Sequence, residues 1–135
     1  MAIWGHRNFD NDAAADFAGD FRNHPNEAML LGALAMVAET EDDETIDANE
    51  GSEALAAAEI VAAILGKPTR DFPADVIPVI VKMNPGESED LRELAQQAVQ
   101  AVVRKSVLQE FWSKQKGEAA EGWQQVQHEL LERLK

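Results

Sequence analysis

The sequence predicts an all-α fold: a compact, single-domain bundle of five or six helices over residues 1–135. Three observations lead there. Apolar residues recur at helical spacing in segment after segment. Capping residues and Gly or Pro breakers bound those segments. One stretch, Ala54–Leu65, is apolar on every side except for Glu59, the pattern of a helix at the centre of a bundle. A chain of 135 residues, 45% of them apolar, is one domain with enough material for a core.

The elements follow in order. Asp10 to Phe21 reads as a first helix, with Ala14, Phe17, Ala18 and Phe21 on one face and Asp10, Asn11 or Asp12 as its cap. Asn23-His24-Pro25 breaks it. Pro25 and Glu27 suit the first turn of a second helix, which runs to about Ala38 and buries Leu30, Ala33, Leu34 and Val37. An acidic connection, about 39–51 and continuing to Glu53, carries eight acids and no base, which predicts a mobile surface loop. Asn49 or Ser52 caps the central helix, and Gly66 followed by Pro68 stops it. Residues 72–83 are β-branched and contain Pro78; lacking a partner strand, they are assigned a short, Pro-disturbed helix. Ser88 caps a long helix, or two joined near Ser106, with Leu91, Leu94, Ala95, Ala98 and Val102 as its stripe, continued by Leu108, Phe111 and Trp112. Gly117 precedes a last helix with Trp123, Val126, Leu130 and Leu134 on one face.

Charge narrows the function classes. The net charge is −13, and residues 1–53 hold thirteen acids against Arg7 and Arg22 alone. Such a field repels nucleic acid and anionic membrane, so neither is expected as a partner. Cysteine is absent, which excludes disulfides, thiolate nucleophiles and zinc–thiolate sites. The first twenty-two residues lack an apolar leader, and no apolar run approaches the roughly twenty residues that cross a bilayer. A cytoplasmic location is the expectation.

Several motifs together carry a resemblance. They are Trp4-Gly5, Phe9-Asp10-Asn11-Asp12, Asp16-Phe17, Ala56-Ala57-Ala58-Glu59, Gly66-Lys67-Pro68, Phe111-Trp112 and Trp123. The chain resembles a bacterial family catalogued as domain of unknown function 4259, with its N-terminal WGxGxFDND pattern and AAAE helix. The resemblance implies a helical bacterial domain and no particular activity. One position departs: Arg7 stands where the pattern has its second glycine, removing the positive φ that glycine permits.

Glu59 is the sharpest anomaly. A carboxylate inside an apolar helix must be paired, hydrogen-bonded or protonated, because burial without a partner costs several kcal/mol. Its two readings are a general acid or base, and an anchor accepting hydrogen bonds from the Trp4–Asp12 segment, for example from the Trp4 indole. The anchor is preferred because no catalytic partner motif accompanies it, and an anchor tolerates Gln better than Ala. The structural or functional cluster is therefore Trp4, Gly5, His6, Phe9, Asp10, Asn11, Asp12 and Glu59. His24 and His128 read as surface or cap residues. Asp12, Asp16 and Asp20, at i+4 steps, line one face of the first helix.

The leading expectation is a non-catalytic, inhibitor- or immunity-like module that meets a basic protein through Asp12, Asp16, Asp20, Asp42, Asp43, Glu44 and Asp47. The alternatives are a carboxylate-based metal-binding enzyme using Asp10, Asp12, Asp16 and Glu59, and a small-ligand or structural role. No catalytic residue, metal site or cofactor is assigned, and the oligomeric state is left open.

Overall fold

Helices form wherever the apolar spacing asked for them. The computed structural model describes residues 5–41, 43–83, 85–115 and 117–135, and all its regular elements are helical. They are α1 (Asp12–Asn23), α2 (Glu27–Ala38), α3 (Ala48–Ile64), α4 (Ile77–Ile80), α5 (Pro85–Arg104), α6 (Val107–Ser113) and α7 (Glu118–Arg133). The fold class is all-α as expected, but there are seven helical segments rather than five or six. α4 is a single turn, and the break at Ser106 separates α6 from α5. No described helix is long and apolar enough to cross a membrane.

The caps explain the boundaries. Asn11 Oδ1 accepts from the Ala14 N–H at 2.8 Å and starts α1; Asn26 does the same for α2 through Ala28. Ser106 Oγ accepts from the Gln109 N–H to start α6 and donates to the Val102 carbonyl, bonding both helices at the junction. Pro78 falls in the first turn of α4, where a missing N–H leaves no helix bond unmade. α3 ends in two paired bonds, Lys67 N–H to the Ala62 carbonyl and Gly66 N–H to the Ala63 carbonyl, with Gly66 at φ +93°. That geometry is the left-handed stop predicted from Gly66.

The acidic connection is corrected. α3 starts at Ala48, earlier than Asn49 or Ser52 would set it, because Asp47 Oδ1 accepts from the Glu50 N–H at 2.7 Å. The preceding segment is held to the α5–α6 junction. Ile46 is buried, its N–H donates to the Lys105 carbonyl, and its own carbonyl accepts from Val107. Ile46 is the one large apolar residue in the run, and its burial anchors that point of the connection against the repulsion among its acids.

α3 is the hub. Its buried residues run from Gly51 to Ile64 with only Glu53 less than fully covered, and it packs against each of the other six helices. The expected stripes of α1, α2 and α5 face the core, with Ala33 and Leu94 only partly buried, and Trp123, Leu130 and Leu134 bring α7 into it while Val126 stays half-buried. Phe111 departs from expectation: it is 40% exposed, while Leu108 and Trp112, one helical step apart, take the buried face of α6.

Gly66→Ala forces a side chain into the left-handed region and should cost about 1 kcal/mol. Urea denaturation should show a lower midpoint at unchanged slope; an unchanged midpoint would refute this role for Gly66.

Candidate functional site

The buried carboxylate of Glu59 organises the only elaborate polar cluster inside the described core. Glu59 is 1% exposed. Its Oε2 accepts from Asn8 Nδ2 at 3.0 Å, and its Oε1 accepts from Arg133 Nη1 at 2.8 Å. The same Arg133 nitrogen also donates to the Lys67 carbonyl at 3.1 Å, just past the end of α3. Gln127 Nε2, buried on α7, donates to Asn8 Oδ1 at 2.7 Å. A carboxylate only accepts, so Glu59 dictates which way the Asn8 amide faces, and Asn8 dictates the Gln127 amide in turn. Gln127 Oε1 is the atom left over, buried with no described partner.

Burial pushes the Glu59 carboxyl above its ordinary pKa, with a smaller push from Asp71. The Arg133 guanidinium and the Asn8 amide pull in the opposite direction without cancelling it.

Three chain segments converge here, and small residues allow the approach. Residues 5–11 lie between the connection after α3 and the outer side of α7. The His6 ring sits against Gly122 so closely that a Cβ there would lie 2.8 Å from Nε2, and it meets Trp112 edge-on at 6.3 Å. Phe9 is buried edge-on against Phe72 at 5.6 Å. Asp10 accepts from the Arg7 N–H, its own N–H donates to the Arg7 carbonyl, and its carboxylate packs where a Gly5 side chain would otherwise stand. Arg7 makes this turn without a positive φ, as its replacement of glycine required.

Above Glu59 the three segments enclose a cavity of about 750 Å³. Asn8, Glu59 and Arg133 contribute to its lining, with His6 and Arg7 from the N-terminal segment, residues 68–71 from the connection, and the Gly122–Arg133 side of α7.

The predicted site residues separate into two groups. Gly5, His6, Phe9, Asp10 and Asn11 lie in the segment that carries Asn8 to Glu59, Asn11 as a helix cap. Asp12, Asp16, Asp20, Asp43, Glu44 and Asp47 are exposed. Trp4 and Asp42 lie outside the described residues, so the Trp4 indole is not placed as a partner of Glu59. No three of Asp10, Asp12, Asp16 and Glu59 bring ligand atoms together; the one such carboxylate group among the described residues is Glu41, Asp43 and Glu44, all exposed. His24 caps the end of α1, and His128 is exposed. Sequence reasoning missed Asn8, Gln127 and Arg133. Gln127 carried a signal: it stands four residues after Trp123 and three before Leu130, on the buried stripe itself.

The chain belongs to the family described as "Domain of unknown function (DUF4259)", whose model matches residues 2–126. The matched span holds Asn8 and Glu59 and stops before Gln127 and Arg133. No curated protein and no solved structure matches the chain.

Glu59→Ala leaves Asn8 and Arg133 without their acceptor and should cost on the order of 2–4 kcal/mol. Gln is less benign than an anchor alone implies, because its amide turns a donor toward Asn8 or Arg133; about 1–2 kcal/mol is expected. In a double-mutant cycle, Glu59→Ala and Arg133→Met should couple by about 1–3 kcal/mol, and strictly additive costs would show that the pair does not act as a unit.

Proposed function

We propose that this domain is a non-catalytic binding module that receives a basic protein partner on the acidic face where α1 meets the first half of α3. One observation carries the reading. Asp47, which caps α3, Glu50 within it and Asp20 of α1 all act on Glu53 of α3, with no cation among the groups acting there. Partial burial, then Asp47, Glu50 and Asp20 in that order, raise the Glu53 carboxyl above its ordinary pKa. Asp12 and Asp16 extend the same helix face outward.

This placement shifts the weight of the binding surface. Glu41 and Glu44 share a shallow depression with Arg104 of α5 and Lys105 just after it, so basic groups already stand beside that part of the acidic loop. The α1–α3 face has no such neighbours acting on Glu53. A cationic partner would relieve its repulsion, and the field would steer encounter before docking. A second reading, small-ligand binding, is favoured by the cavity over Glu59. The metal-enzyme reading lacks a gathering of its four carboxylates.

Affinity capture at low salt should recover a basic partner whose association slows as the screening length falls from about 10 Å at 0.1 M toward about 5 Å at a few hundred millimolar. Asp16→Lys with Asp20→Lys should slow association more than Asp43→Lys with Glu44→Lys. Capture of nothing specific, or a partner indifferent to salt and to both reversals, would end this reading.

Repulsion on the face is testable without a partner. Asp20→Asn removes one of the acids that act on Glu53 and should stabilise the protein at neutral pH. A raised carboxyl pKa disfavours folding as pH climbs through it, so the gain should vanish as acidification protonates Glu53. A pH series of denaturation midpoints checks this; equal stability of variant and parent at neutral pH would contradict it.

A further inference from the structure

We propose that the cavity over Glu59 is a binding site for a small organic anion, a carboxylate- or phosphate-bearing molecule, gripped by Arg70 and by the open edge of Arg133. The site is separate from the acidic face and does not depend on that face binding a protein.

The acids lining the cavity all have partners. Both Glu59 oxygens are taken, by Asn8 and Arg133. Asp71 accepts from Thr69 Oγ1 at 2.9 Å and faces Arg7 at 3.9 Å. Glu129 accepts from Gln125 at 3.1 Å, and Glu132 pairs with Lys135 at 2.9 Å.

The cations are less committed. Arg70 lines the cavity, is exposed, and makes no hydrogen bond or ion pair with any described residue. Both bonds of Arg133 leave through Nη1, so Nε and Nη2 keep their donors. Arg7, one of only two cations in the first 53 residues, already faces Asp71 and brings only its remaining donors. In a chain of net charge −13, three of its arginines line this one cavity, beside four acids that already have partners. Free guanidinium edges match carboxylate and phosphate oxygens in geometry as well as charge. The 750 Å³ volume lies within the range of small-molecule sites, and Arg133 is held rigid by the buried Glu59.

The ligand also meets Glu129 and Glu132 on the α7 side. Those carboxylates accept from hydroxyl or amine donors that the anion carries, as the citrate hydroxyl offers.

The test is an NMR titration of the full chain with inorganic phosphate and, separately, with citrate, each against sodium chloride at matched ionic strength. Saturable shifts are expected at the amides of residues 6–8, 69–71 and 125–133, from one anion or both; saturation by phosphate alone assigns a phosphorylated ligand, and by citrate alone a carboxylate. Arg70 has no internal bond to lose, so Arg70→Gln should fold as the parent does while weakening the saturating anion by about tenfold. Lys82→Gln, outside the cavity, should leave binding unchanged. Shifts that never saturate, shifts spread over all surface cations, or equal affinity of Arg70→Gln and the parent would overturn the site. None of these results bears on Asp16 or Asp20, so failure here is distinguishable from failure of the acidic face.

Discussion

A single carboxylate buried inside an otherwise apolar helix is the constraint around which this molecule is arranged. α3 touches all six other helices, and Glu59 is almost wholly covered. An ionised carboxyl in that position needs donors from the protein itself, and those within α3 are already used by the helix. The donors come from opposite ends of the chain, Asn8 before α1 and Arg133 at the end of α7. Other features serve that convergence. Gly122 lets the segment bearing Asn8 lie close to α7, and the turn at Gly66 puts the Lys67 carbonyl within reach of Arg133. Gln96 of α5 donates to the Leu134 carbonyl and ties down the end of α7.

Stability alone does not require such a cluster. A buried ion pair often contributes no more than apolar residues of equal volume, since desolvation offsets much of the attraction. What it contributes here is direction. Phe9 could slide along Phe72 at small cost, but Asn8 has one position that offers Nδ2 to Glu59 and Oδ1 to Gln127 together. Hydrogen bonds of fixed polarity set the register of a segment that has no regular structure. The orphaned Gln127 Oε1 follows from the same polarity, because Glu59 leaves the chain of amides no freedom to reverse.

Much of the fold was legible because its signals are local. The stripe of α1, the stop at Gly66, the break at Ser106 and the all-round apolar character of α3 each depend on residues within a turn or two of one another. The early start of α3 was not legible, since Asp47 looked like one more acid in an acidic run until Ile46 was seen anchored between Lys105 and Val107. For the site, Glu59 declared itself by contrast with its neighbours. Arg133 did not, because it sits 74 positions away in a helix rich in charge, where nothing local separates a buried pair from a solvated one. Gln127 lies between the two: polar by type and core by spacing, so its two signals point in opposite directions.

The same contrast bears on the two binding surfaces. Composition says only that the chain is acidic, and a count of charges cannot tell an acid with a neighbouring cation from one without. Three-dimensional pairing separates them. Glu132 has Lys135, and Glu41 and Glu44 have Arg104 and Lys105 beside them, whereas the charged groups acting on Glu53 are the acids Asp47, Glu50 and Asp20. On the opposite sign, Arg22 is spent on Asp75 and Arg92 on Glu89, while Arg70 is spent on nothing. Surface pairs contribute little to folding, so an arginine left unpaired beside a cavity costs the fold almost nothing and keeps its donors in place. Charges that folding does not use are the ones free to meet a ligand, which is why both proposals begin from the unmatched groups and neither from the total.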